Sequence, residues 1–168
     1  ALGSVGKAQP DKVIPELSKV LTDEYEYDWV RETAVYALGN VGETQSDKIL
    51  PLLIGLLNDN EKVSKASHDA ISKLLLISAL KQKGNLSSKQ FLLKKLRSCQ
   101  ADQNSLFRTA VSNGIVLFIK SKDIGEDKRV EMKKAIIDIQ QKDKKPHLRI
   151  AASIILEESN KDREISDE

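Results

Sequence analysis

An all-α chain of repeated helix hairpins is predicted by three observations: a segment that recurs at an offset of 36 residues, apolar positions spaced by three and four, and an interior left to aliphatic side chains. The segment ALGSVGKAQPDKVIPELSKVLTD, 1–23, matches ALGNVGETQSDKILPLLIGLLND, 37–59, without a gap and with 12 of 23 positions identical. Self-similarity at such a period is the mark of a repeat architecture, in which each unit buries its apolar face against the next. Within a unit, Val63, Ala66, Ala70, Leu74 and Ile77 recur at three and four residues and so share one helical face. The chain of 168 residues is 40% hydrophobic but only 4% aromatic. Packed helices suit that composition better than a sandwich or barrel built on β-branched and aromatic pairs.

The elements follow in order. Residues 1–5 read as the end of a first helix whose partner runs over 11–21. The next pairs are 29–41 with 47–57, 61–81 with 88–98, and 105–120 with 126–140. A last helix is expected over 146–158, and the apolar-poor acidic stretch 159–168 reads as a disordered tail. Pro15 and Pro51 are placed in the first turn of their helices, where a missing donor costs nothing. Gly6 and Gly42 are expected to close the preceding helices in a left-handed conformation. A second anchor of the repeat is V-R-E-T-A-V-Y-A-L at 30–38, answered by V-S-K-A-S-H-D-A-I at 63–71 and L-R-I-A-A-S-I-I-L at 148–156. Residues 106–119 fit it only through Arg108, Ala110 and Val111. Starting at Ala1 leaves Leu2 and Val5 without a preceding unit, so the chain is expected to be a solenoid piece truncated at its N-terminus, occupying 1–158.

The V-R-x-x-A-x-x-A-L-G-x-V-G block, followed by a proline-bearing apolar helix and L-x-D, resembles the HEAT repeat of the short bacterial type named after phycobilisome lyases. The resemblance covers 1–71 most closely and returns at 148–156. It implies a right-handed α-solenoid, a superhelix of four to five hairpins of armadillo-like helical type. It also implies a ladder between an Asp in the inter-helix turn and an Arg opening the next helix, positions held by Asp23, Asp59, Arg31 and Arg149, with Lys62 or Ser64 in place of Arg in the third unit. The function implied is a non-catalytic scaffold that binds a protein along its concave surface. The same resemblance brings two alternatives, nucleic-acid binding in the manner of HEAT-like DNA glycosylases and chromophore handling in the manner of phycobilin lyases.

Enzymatic motifs are missing from the sequence: there is no phosphate-binding glycine loop, no H-E-x-x-H and no G-x-S-x-G. No enzyme, cofactor or metal is therefore expected, and His68 and His147, far apart and without second ligands, read as solvated or structural. The lone Cys99 excludes a disulfide framework and suggests a reducing compartment, the cytoplasm. Lys94, Lys95 and Arg97 precede it, a setting that could lower its pKa, though an incidental thiol at a turn is the plainer reading.

Charge is distributed unevenly. Residues 1–80 carry 8 Lys and Arg against 12 Asp and Glu, residues 81–149 carry 17 against 7, and residues 150–168 carry 2 against 6. Lys89, Lys94, Lys95, Lys128, Arg129, Lys133 and Lys134 are therefore candidates for one basic groove, fit for an acidic protein or, less favoured, a phosphate backbone. The plain alternative is that these lysines solvate helix surfaces. No aromatic residues interleave with them as stacking platforms. A second candidate is the three-residue extension holding Tyr25, Tyr27 and Trp29, with the tyrosines as contact anchors and Trp29 expected to pack beneath the next helix. The partner expected is a protein. Neither a membrane nor a small-molecule substrate is.

Overall fold

In a computed structural model, described over residues 9–23, 25–82, 87–100 and 105–161, the regular structure is entirely helical. The elements are α1 (Pro10–Thr22), α2 (Asp28–Gly55), a 3₁₀ turn (Leu56–Asn58), α3 (Glu61–Leu80), α4 (Ser88–Ser98), α5 (Ser105–Lys120), α6 (Glu126–Lys142) and α7 (Pro146–Glu158). The chain forms two compact units, Ala1–Ser78 and Ala79–Glu168. No helix among the described residues is long and apolar enough to cross a membrane.

In the first unit α1 packs along α2. The repeat read in the sequence is a repeat of burial: Ile14, Leu17 and Leu21 are buried, and so are Leu50, Leu53 and Leu57, each 36 residues later. Ala34, Ser67 and Ala152, which share one place in the second anchor, are likewise all buried.

The two helices expected over 29–41 and 47–57 are both present, joined without a loop at a kink where Gln45 is non-helical (φ −136, ψ 46). Two local expectations are corrected. Gly42 is helical and buried, and its role is close approach: a Cβ there would stand 2.8 Å from Leu74 Cδ2 and 2.9 Å from Cδ1. Gly39, one turn earlier, likewise sits against Ala70, whose Cβ is 3.2 Å from where its own would be. Small residues on α2 therefore let α3 pack closely, where the sequence pattern suggested a left-handed cap. Finally, Pro10 opens α1, whereas Pro15 and Pro51 lie inside helices. Each removes the helical bond to the carbonyl four residues back, at Asp11 or Asp47. Both prolines are exposed. Gly6 lies outside the described residues.

In the second unit α5 touches α4, α6 and α7. Its buried residues, among them Val111, Gly114, Ile115 and Phe118, spread around the helix, as a central element requires. Helix α4 starts at a capping box, with Ser87 Oγ accepting from Gln90 N and Gln90 Oε1 accepting from Ser87 N. Of the tail expected from 159, Ser159 is buried and Lys161 pairs with Glu157 and Glu158; 162–168 lie outside the described residues.

One device recurs in both units. A side chain early in a helix donates to a backbone carbonyl at or just beyond the end of the preceding helix, where orphan acceptors collect. Arg31 donates to Leu21 O, Ser64 to Leu57 O, Arg108 to Gln100 O and Arg149 to Asp143 O. Ser64 stands where the repeat places Arg31, and Leu57 where it places Leu21, so a shorter side chain makes the equivalent contact.

Candidate interaction site

The basic residues of the second unit do not form a uniform cationic groove. Lys89 and Lys128 line one depression, together with Gln82, Ser87, Ser88, Phe118, Asp127 and Glu131. Two carboxylates thus face two ammonium groups, and Lys89 Nζ already donates to Glu131 Oε2 at 2.8 Å. Lys95 lies 5.7 Å from the centre of the Phe91 ring, Lys133 donates to Asn160, and Arg129 is half-buried with its Nε shielded and unpartnered. Lys94 and Lys134 are exposed on α4 and α6, apart from the residues lining the depression. The acids that break up the cationic surface, Asp127 and Glu131, come from α6 itself, whereas no acid occurs between Asp69 and Asp102, the stretch that holds α4.

Cys99 is buried, and its thiol donates to Lys95 O at 3.4 Å. Burial pushes its pKa up, and the nearby Arg108 and Lys95 only partly offset this. The lowered pKa that the preceding cations suggested does not arise, because desolvation of the thiolate outweighs them. His147 Nε2 contacts Cys99 O at 3.1 Å. His68 is half-buried and lies 3.8 Å from Asp69 Oδ1. No group of three or more His, Cys, Asp or Glu among the described residues is placed to hold a metal ion.

The aromatic segment has a more distinctive geometry. Tyr25, Tyr27, Trp29 and Tyr36 are every Tyr and Trp of the chain, and they are 97%, 71%, 63% and 41% exposed. Trp29 therefore does not pack beneath the following helix. Asp23 Oδ1 accepts from Tyr25 N and Glu26 Oε1 from Tyr27 N, which shapes the turn that presents the two tyrosines. Asn60 Nδ2 donates to Asp28 Oδ1, tying the start of α2 to the segment before α3. Trp29 and Tyr36 lie seven residues apart on α2, two turns and about 10 Å along one face. Tyr36 then walls a groove of about 240 Å³ between α2 and α3, lined also by Gly39, Asn40, Ala70, Lys73 and Ile77. Burial pushes the Tyr36 hydroxyl above its ordinary pKa, with the Asp69 and Glu32 carboxylates adding to the effect. Sequence reasoning missed Tyr36; its seven-residue spacing from Trp29 was the available signal. No protein family, curated protein or solved structure matches the chain.

Proposed function

We propose that this chain is a non-catalytic protein-interaction module that docks its partner on the exposed aromatic segment 25–36 and the groove beside it. The observation that carries this reading is that the core holds neither Tyr nor Trp, while all four of these residues are exposed on one stretch of the first unit. Tyr and Trp anchor protein interfaces because each buries a large apolar area at little rotamer cost and keeps a polar tip for hydrogen bonding. The repeated burial at 36 residues and the recurring helix-start donors support stacking of the hairpins as a right-handed HEAT-like α-solenoid, a scaffold architecture. The buried, unpaired Cys99 supports a cytoplasmic setting. Nucleic-acid binding by the basic residues is the weaker reading, because the depression that gathers Lys89 and Lys128 is charge-balanced.

The test compares recovery of bound protein by the parent chain, a Tyr25→Ala/Tyr27→Ala/Trp29→Ala variant and a Lys94→Glu/Lys134→Glu variant. Loss of recovery in the first variant alone, with helicity unchanged, is expected. Loss in the second alone would transfer the site to the basic surface.

A further inference from the structure

Resting on the reading of 25–36 as a docking face, we propose that its occupant is a Lys- and Arg-rich segment of a partner protein bearing one apolar anchor residue. Its cations would lie against the acid-flanked aromatics, and its anchor would enter the groove beside Tyr36. Charge sets the class of ligand. From residue 20 to residue 47 the sequence holds one basic residue, Arg31, against seven acids. The Arg31 guanidinium is already committed to Asp59 and to Leu21 O. The exposed aromatics alternate with Glu26 and Asp28, and Glu32 precedes Tyr36 by one turn on the same face. Asp69 precedes Ala70 on α3, and its carboxylate is near enough to Tyr36 to raise that hydroxyl's pKa. Rings presented beside carboxylates bind guanidinium and ammonium groups through both the ring face and the ion pair, whereas a phosphate or an acidic peptide would be repelled.

The groove supplies the second element. Gly39 and Ala70 approach closely at its floor, and Tyr36 and Ile77 give it apolar walls, so it has room for one branched or aromatic side chain. Lys73, the one basic residue lining it among the described residues, disfavours a ligand cation inside the groove and directs the ligand's charges toward the Trp29 end.

Trp29 is the only indole of the chain, so its emission reports on this face alone. The parent chain is titrated with a Lys/Arg peptide carrying one central Leu, and with a Glu/Asp peptide of the same design. The expected result is a saturable change in Trp29 emission with the basic peptide only. Affinity should fall with added salt and weaken by about tenfold or more in a Glu32→Lys/Asp69→Lys variant, or in Glu32→Gln/Asp69→Asn should the reversal disturb helicity. An acidic peptide is expected to leave Trp29 unchanged even where it binds the second unit. The inference is overturned if the basic peptide does not move Trp29, or binds the variant as tightly as the parent. Equal response to both peptides would also overturn it while leaving the segment a docking face. Emission that changes with protein concentration alone would assign the face to a second copy of this chain, with its basic residues 81–149, and would overturn it as well.

Discussion

Arg31 grips Asp59 across the first unit, Nη1 donating to Oδ1 at 3.0 Å and Nη2 to Oδ2, while Nε and Nη2 also donate to the carbonyl of Leu21. One planar guanidinium thus joins the end of α1, the start of α2 and the turn before α3. Both side chains are largely shielded, at 14% and 20% exposed. Lysine has the charge but not the fork. Arg31→Lys is therefore expected to lower unfolding free energy by about 2 kcal/mol, the scale of a charged hydrogen-bond set, as measured by urea denaturation.

The same pair sets a pH dependence. Burial opposes the charge on Asp59, but hydrogen bonds from Arg31 and from Asn60 N outweigh it and hold the carboxyl below its ordinary value of 3.8. A carboxylate depressed in the folded state stabilises fully above the unfolded value and loses that contribution as pH falls through the lower folded one. Stability is expected to fall as pH drops below about 4, and less steeply in Asp59→Asn. Unfolding midpoints across that window test it, and an unchanged slope in Asp59→Asn would contradict it.

Two glycines of α2 are expected to respond oppositely to alanine. At Gly42 a Cβ would meet the buried Leu74 methyl groups at 2.8 and 2.9 Å, whereas at Gly55 it would meet nothing within 4 Å. Gly42→Ala should cost about 1–3 kcal/mol by overpacking. Gly55, helical at φ −60 and ψ −28, should gain about 0.4–1 kcal/mol on replacement, since alanine narrows the unfolded ensemble. Thermal midpoints of the two variants should move in opposite directions.

Ser67 stands where the repeat has Ala34 and Ala152, and its fully buried hydroxyl has no hydrogen-bond partner. Ser67→Ala is expected to stabilise the protein by about 1 kcal/mol through removal of that unsatisfied group. A lower thermal midpoint would contradict this.

Cys99, buried and with its pKa pushed up, is expected to react with an aromatic disulfide reagent at least about tenfold more slowly in the native protein than in urea. Equal rates would show the thiol to be accessible.

Much of this architecture was legible from local signals. The predicted bounds 88–98, 105–120 and 146–158 coincide with α4, α5 and α7; the capping serine Ser87 marks the start of the first and Pro146 that of the last. Gly42 and Pro51 were misplaced because the sequence offers them as a helix end and a helix start, whereas packing against Leu74 and the break at Gln45 decide the local backbone. The site was half legible. Composition pointed to Tyr25 and Tyr27, but the exposure of Trp29 depends on which face of α2 meets α3. The groove depends on the close approach of Gly39 and Ala70, which no short-range pattern encodes.

The most direct test of the docking face is photocrosslinking with a benzoylphenylalanine placed in turn at positions 27, 36, 94 and 134. Positions 27 and 36 are expected to crosslink to the same partner protein, while 94 and 134 yield no crosslink to it. Crosslinks to that protein, or to nucleic acid, from 94 and 134 but not from 27 and 36 would contradict a docking face at 25–36.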